Sequence, residues 1–457
     1  MNIWWVRRDL RLHDNPALTS ALADGKSVLP VFILDSNLLA KPAEKRQAFL
    51  FAGLRALNAD LKKRGSRLVV RSGDPAIEIK ILAAEVNADK IFAEEDYSPY
   101  AAQRDDSVAR EVDLQLVHGL GVHPPSVVTK VDGSPYTVFT PFNRAWKALP
   151  FNGITLPAPG YLPPVPDVSS LPIPENLSPP TFPAGEKEVR RRLDAFLGGG
   201  VRDYAEERNR LDMEGTSALS PYLRFGMLSA RAAVAAAYET ASISTDAFVK
   251  KACEVWINEL IWREFYQSML YHFPRVLETA FNPALRNIPW RDERLELEAW
   301  QVGRTGYPVV DAGMRQLAET GWMHNRARMI TASFLVKDLL INWQKGERWF
   351  MRVLVDGDPA ANNGGWQWVA GTGTDAAPYF RIFNPVLQGN KFDPQGEYVR
   401  RWVPELKDVP TAKIHSPWEM TADEQRAMGV VIGRDYPAPI VDHAYARERT
   451  LKAFKGG

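Results

Sequence analysis

Residues 356–385 read DGDPAANNGGWQWVAGTGTDAAPYFRIFNP. The first thirteen of these positions hold two carboxylates two residues apart, an Asn pair, a Gly pair and two tryptophans. Small residues here let another group approach the backbone closely. Asp358 directly before Pro359 reads as the cap of a helix, and two acids at a helix start suit its dipole. Asp356 and Asp358 with Asn362 also form a DxD pair that could hold a hard cation, although no further carboxylates surround them. A helix cap, a metal and an organic cofactor are therefore three open readings of one stretch.

The chain has 457 residues, more than one hydrophobic core usually supports, so two domains are expected. With 45% hydrophobic and 24% charged residues it has the make-up of an ordinary globular protein. The formal charge of +1 shows no acidic or basic bias, so any nucleic-acid contact must come from a local basic patch. A single cysteine, Cys253, excludes an internal disulfide and any multi-cysteine metal cluster. The N-terminus MNIWWVRRDLRLHDNP turns charged within seven residues, and no run of 18 apolar residues suggests a membrane span. The cytoplasm is the default reading.

The first 120 residues alternate short β-rich runs (Asn2–Val6, Val28–Leu34, Arg67–Arg71, Lys90–Glu94, Leu114–Val117) with helical patterns around Pro16–Ala23, Glu44–Lys63, Ala76–Val86 and Ala101–Glu111. That alternation predicts a parallel five-stranded sheet with helices on both faces, Rossmann-like in layout. No GxGxxG follows the first strand, so the dinucleotide fingerprint is absent. Residues 150–183 contain eleven of the 34 prolines and read as a connection laid over the surface. Beyond it, Phe248–His272, Val309–Glu319, Asn325–Gln344 and Arg348–Val355 have helical periodicity, and eleven of the fourteen tryptophans fall between Trp256 and Trp418. The expected organisation is an α/β domain over 1–130, a proline-rich connection over 131–190 and an all-α domain over 191–457.

Three further constellations could carry chemistry. In EVWINELIWREFYQSML (254–270), Trp256, Glu259 and Arg263 share a helix face, which suits a stacked heteroaromatic ligand with polar edges as well as a simple surface ion pair. In GWMHNRARMITASFL (321–335), Trp322, Asn325, Arg328 and Met329 share another face, and Arg326 and Arg328 offer phosphate-binding forks. His324 is the one general-base candidate nearby, and a lone helix histidine is more often structural. In EGTSALSPYLRFGMLS (214–229), the hydroxyls of Thr216, Ser217 and Ser220 stand where a loop meets a helix near Pro221, a geometry that binds phosphate without a lysine. No nucleophile–base pair or metal cluster competes, so the chemistry would belong to a bound organic cofactor.

These stretches, with WVRRDLRLHDNPAL at the start, closely resemble the photolyase/cryptochrome flavoprotein family in collinear order from Ile3 to about Trp418. The resemblance, nearest to the class I cyclobutane-dimer photolyases, implies an N-terminal α/β domain and an all-α C-terminal FAD-binding domain. It implies FAD contacts from Tyr204, Thr216, Ser217, Ala218, Leu219, Ser220, Arg263, Arg328, Asp356, Gly357, Asp358 and Asn362, with Asn362 facing flavin N5. Trp366, Trp343 and Trp290 match the family's electron-supply chain. Trp256 resembles the residue packed against a flipped pyrimidine dimer and Glu259 the one that bonds its base edges. Arg263, Asn325, Arg326 and Gln388 match DNA- or lesion-contacting positions. Enzymes for (6-4) photoproducts carry histidines where this chain has Asn325 and Met329, so cyclobutane dimers opened by electron transfer are the expected substrate. Ala218 and Ala327 replace larger residues common in relatives. The resemblance leaves room in the α/β domain for an antenna chromophore of folate or deazaflavin type, with a second flavin or none as the alternatives. DNA carrying pyrimidine dimers is the expected partner of a monomer with no obligate protein partner. The rival readings are a cryptochrome-type photoreceptor that repairs nothing and, more remotely, a metal-dependent glycosyltransferase.

Overall fold

The structure is a computed structural model that describes residues 1–175 and 182–455. Its first strand, β1 (Asn2–Val6, NIWWV), is buried along its whole length, as expected of an apolar run covered on both faces. Strands β2 (Val28–Asp35), β3 (Val69–Gly73), β4 (Lys90–Glu94) and β5 (Leu114–Val117) complete an all-parallel sheet in the order β3-β2-β1-β4-β5. The crossover helices include Pro16–Leu22, Glu44–Lys62, Pro75–Glu85 and Pro99–Ala109. Strand β3 begins two residues later than its sequence pattern suggests, because the Leu68 amide donates to Asn58 Oδ1 (2.9 Å) and pairing with β2 involves Val69 onward. Ile3 and Trp5 enter one core layer with Leu29, Val31, Ile33, Val69 and Ile91. Within the described part of the proline-rich run, residues 150–175 and 182–183, there is neither helix nor strand; residues 176–181 lie outside it.

The charged run after β1 would ordinarily be solvated, yet Arg7, Asp9, Arg11, Asp14 and Asn15 are all buried. Pairing makes this tolerable. Arg7 donates to Asp105 (2.5 Å) and to the Glu94 carbonyl. Arg11 donates to the Glu94 carboxylate (2.5 Å) and to the carbonyls of Asp14 and Gly226 (3.0 Å each). Asp14 accepts from the Arg231 guanidinium and the Ser229 hydroxyl. Burial raises the Glu94 carboxyl to about 7 against the pull of Arg11. Gly226 is required for the close approach: its φ is +61°, and a Cβ there would lie 1.8 Å from the Arg8 carbonyl oxygen.

Two compact units result, Met1–Ala205 with Ser217–Pro274, and Glu206–Thr216 with Arg275–Gly457. The second is helical and built on a large core that includes Trp300, Phe334, Phe350, Trp366 and Tyr398. One continuous helix over Asn325–Gln344 does not form. The chain makes Asn325–Ser333, a wide π turn at Phe334–Asp338, a left-handed residue at Leu340 (φ 52°), and a new helix Trp343–Val353, which takes in the start of the run expected at Arg348. Polar partners set the break. Asn342 Oδ1 accepts from the Gln344 amide (2.9 Å), while Arg291 donates from its backbone to Leu340 (2.8 Å) and from its guanidinium to Leu339 (3.0 Å). Buried Lys337 donates to the Ala370 carbonyl at the end of the helix Pro359–Ala370 and sits 3.7 Å from the Phe454 ring centroid. Burial lowers its ammonium to about 7.

Asn15 caps the first helix (Leu18 N–H to Oδ1, 2.8 Å) while its Nδ2 donates to the Arg11 carbonyl (3.0 Å) and Asp9 Oδ2 (3.1 Å). Asn15→Ala is expected to cost about 1–2 kcal/mol, read as an earlier urea midpoint.

Candidate functional site

In the first unit the helix Ala247–His272, capped by Asp246 (Phe248 N–H, 2.8 Å), carries Trp256, Glu259 and Arg263. Trp256 is 3% exposed. Its ring centroid lies 5.3 Å from that of Phe196, which lies 5.6 Å from Tyr204, and its Nε1 donates to Ser217 Oγ (3.2 Å). The structure thus gathers Tyr204 and Trp256 around Phe196, which sequence spacing does not single out, and sets Ser217 against Trp256. Ala218 in that loop is left-handed (φ 48°), a conformation few non-glycine residues adopt and one that clusters at ligand sites. Leu219 is buried, and Ser220 opens the short helix Ser220–Arg224. Hydroxyls and turn amides together form a donor set of the kind a diphosphate needs.

Arg263 donates to the carbonyls of Leu120 (2.9 Å) and Leu223 (3.4 Å), so its guanidinium fastens its own unit. The next residue, Glu264, accepts from Trp146 Nε1 (2.7 Å) and from the amides of Val122 (2.6 Å) and His123 (3.3 Å). Burial raises its carboxyl, and those bonds oppose the rise. Glu259 is half-buried. Trp262, half-buried on the same helix, stacks on Phe139 at 3.7 Å and 5°.

In the second unit, His324 caps the helix Asn325–Ser333 by accepting the Arg326 amide on Nδ1 (3.1 Å). Burial lowers its imidazole to about 4, with Arg326 and Arg328 adding to the effect. It is a neutral cap, in keeping with a structural histidine. Arg326 donates to Asn209 (2.5 Å) and lies 4.4 Å from the Phe392 ring centroid. Burial lowers its guanidinium, and the charges of Arg208 and Arg381 lower it further. Three guanidiniums therefore share one field, and spacing along the chain revealed only the first. Asn325 Nδ2 approaches Met329 Sδ (3.9 Å), and Gln388 is half-buried near the start of Pro385–Phe392.

In the stretch at 356–370, Asp358 is a helix cap. Asp358 Oδ1 accepts from the amides of Ala360 (2.9 Å) and Ala361 (3.1 Å) at the start of Pro359–Ala370, and the Gly357 amide donates to the Leu354 carbonyl (3.4 Å). Asp356 accepts from Arg328 (2.8 Å), whose Nε donates to the Met323 carbonyl (2.8 Å). Asn362 Nδ2 donates to the Glu347 carbonyl (3.1 Å) and carboxylate (2.9 Å). Among the described residues no group of three or more His, Cys, Asp or Glu is placed to hold a metal ion. Trp366 and Trp343 are buried in the core, and Trp290 is half-buried against it. The Trp366 indole N–H is buried without a partner among the described residues. The donors and acceptors on these helices suit the polar edge of an isoalloxazine.

A Cβ at Gly346 would lie 2.1 Å from Trp366 Cη2. Gly346→Ala is expected to lower stability by about 1–3 kcal/mol through overpacking, read by chemical denaturation. His324 supplies a pH test. Because its folded value lies below the ordinary 6.5, its contribution is complete above pH 6.5 and is lost as pH falls toward 4. His324→Asn keeps a cap and removes the titration, so the variant should gain about 2 kcal/mol on the wild type between pH 7.5 and 5 in urea titrations.

Residues 2–161 match the family model described as DNA photolyase, and residues 256–456 the one described as FAD binding domain of DNA photolyase. The deoxyribodipyrimidine photo-lyase of Agrobacterium fabrum is 41% identical over 99% of this chain and 97% of its own length. A crystal structure of a bacterial class III photolyase from Agrobacterium tumefaciens superposes with a TM-score of 0.91 at 39% identity, covering 100% of this chain and 97% of the other. The cryptochrome of Synechocystis sp. PCC6803 gives the same TM-score at 31% identity, over 99% of both chains. A five-stranded α/β layer, a helical domain of the FAD-binding type and near-complete collinearity leave one assignment: the chain belongs to the DNA photolyase family and takes FAD as its cofactor.

Proposed function

We propose that this protein is a light-dependent deoxyribodipyrimidine photo-lyase that splits cyclobutane pyrimidine dimers in DNA. The observation that carries the reading is the face of the helix Asn325–Ser333. Its outward pair is Asn325 and Met329, 3.9 Å apart, and the adjacent His324 is withdrawn as a buried, neutral cap. That face offers a lesion contact without a proton donor, which suits ring opening by electron transfer alone. Bound reduced FAD supplies the electron on blue-light excitation.

In this reading the chain's own residues bind and orient. Glu259 accepts hydrogen bonds from the base edges of a flipped dimer, for which the distorted pair lowers the unstacking cost. Trp256, enclosed by Phe196 and Ser217, serves as a fixed wall. Arg326 and Gln388 contact the strand, with Arg208 and Arg381 extending the cationic field. Arg263 is a poorer probe of DNA binding because it also fastens Leu120 and Leu223. Thr216 to Ser220 take the diphosphate, and Arg328 with Asp356 flanks the isoalloxazine. Trp366, Trp343 and Trp290 deliver electrons inward. The three sequential domains of 1–130, 131–190 and 191–457 belong to the same reading, as do a monomeric state and a cytoplasmic setting. No helix among the described residues is long and apolar enough to cross a membrane. A second chromophore of folate or deazaflavin type would act as antenna, and mass spectrometry of the extracted pigment would identify it.

The second reading, a cryptochrome-type photoreceptor, is favoured by the likeness to the Synechocystis protein. An oligonucleotide carrying one thymine dimer separates the two. Reduced protein should remove the dimer under blue light and not in the dark, whereas persistence of the dimer with an FAD-loaded protein would favour the photoreceptor. Arg326→Ala should weaken DNA binding about equally across sequences and reduce the slope of log affinity against log salt by about 1. An unchanged slope would remove Arg326 from the DNA contact.

A further inference from the structure

We propose that Asn209 is a positioning residue for Arg326: it holds the guanidinium through a neutral acceptor and so leaves the charge for a phosphate of the bound strand. The inference rests on the reading that Arg326 contacts DNA. Both residues belong to one compact unit, Asn209 on the short segment Glu206–Thr216 and Arg326 at the start of the helix Asn325–Ser333. Asn209 Oδ1 accepts from Arg326 Nη2 at 2.5 Å. A guanidinium carries no acceptor, so the amide must meet it with its oxygen.

The segment that carries Asn209 is pinned. Leu211, buried in the helical core, donates its amide to the Phe392 carbonyl (2.8 Å). A Cβ at Gly215 would lie 2.5 Å from that of Glu207, so the absent side chain lets the segment close into a loop at its base. The ring centroid of the same Phe392 lies 4.4 Å from the central carbon of the Arg326 guanidinium. Arg326 Nε is buried with no partner among the described residues. With one N–H on Asn209 and the Nε–H enclosed, three of the five N–H groups remain for a ligand.

Charge is sorted at the same place. Asn209 stands in the chain between Arg208 and Arg210. Arg210 donates to both carboxylate oxygens of Asp212 (2.8 and 2.5 Å), so its charge is matched. Arg326 makes no ion pair among the described residues, and burial with the charges of Arg208 and Arg381 lowers its guanidinium. A carboxylate at position 209 would match that charge as Asp212 matches the charge of Arg210. An amide of the same shape holds the group and leaves it cationic.

The test is dark binding of an oligonucleotide carrying one thymine dimer to the FAD-loaded full chain, followed across salt concentrations. Asn209→Asp keeps the size of the side chain and adds a charge. It should weaken binding about tenfold at low salt and reduce the slope of log affinity against log salt by about 1, as loss of one phosphate contact does. Asn209→Ala leaves the charge and frees the guanidinium. Its slope should match the wild type, while affinity falls about three- to tenfold, the cost of ordering a free arginine on binding. Both effects should shrink by more than about half in the Arg326→Ala background. A wild-type slope for Asn209→Asp, or wild-type affinity for Asn209→Ala, overturns the proposal. So does an effect undiminished by Arg326→Ala, which marks a general field or a merely structural role. FAD content and thermal midpoint serve as controls. Should Asn209→Ala fail to fold, the slopes of Asn209→Asp with and without Arg326 decide alone. If Arg326→Ala itself leaves slope and affinity unchanged, Arg326 does not touch DNA and the underlying reading fails.

Discussion

The first unit turns on one buried guanidinium. Arg11 reaches the Glu94 carboxylate at the end of β4, the Asp14 carbonyl in its own loop and the Gly226 carbonyl after the helix Ser220–Arg224. Three pieces of chain far apart in sequence are held by donors of a single side chain. A buried ion pair seldom adds much net stability, since desolvation offsets most of the attraction. Its value lies in specificity, because any other arrangement would leave a charge buried without a partner. The loop with Ala218 runs directly into the helix Ser220–Arg224, which ends just before the Gly226 that Arg11 holds, so that loop inherits its place from a charge cluster in the α/β layer.

Most of that layer was legible. Asn2–Val6, Lys90–Glu94 and Leu114–Val117 are strands with the bounds their residues suggest, because short apolar runs between polar turns leave little choice. The helix broken at Leu340 was not. The run Asn325–Gln344 has helical periodicity throughout, and the break is decided by the Asn342 cap together with the carbonyls taken by Arg291, some fifty residues upstream. The same distinction runs through the site. Asp358 declares itself by the proline that follows it. Phe196 and Glu264 meet partners distant in sequence, Trp256 for the one and the Val122 and His123 amides for the other, and periodicity carries no information about those.

Within each unit charge is arranged by subtraction as much as by placement. In the second, His324 is spent on a backbone amide and Asp358 on two. In the first, Glu264 is spent on two amides and an indole. Groups held rigidly by such bonds need little reorganisation when charge moves, which is the physical basis of electrostatic preorganisation. A site of this kind suits chemistry performed by its cofactor.

The division into compact units has a consequence for how the molecule comes into being. The chain leaves the first unit after Ala205, returns at Ser217 and leaves again after Pro274. The short excursion Glu206–Thr216 supplies Asn209 to Arg326 and a backbone amide at Leu211 to the Phe392 carbonyl. A fragment cut at residue 275 would lack those partners, however complete it looked as a run of helices. During synthesis the excursion emerges well over a hundred residues before the segment that receives it. The nascent second unit must therefore wait with a piece of itself already made, and late closure of that unit is written into the order of the chain.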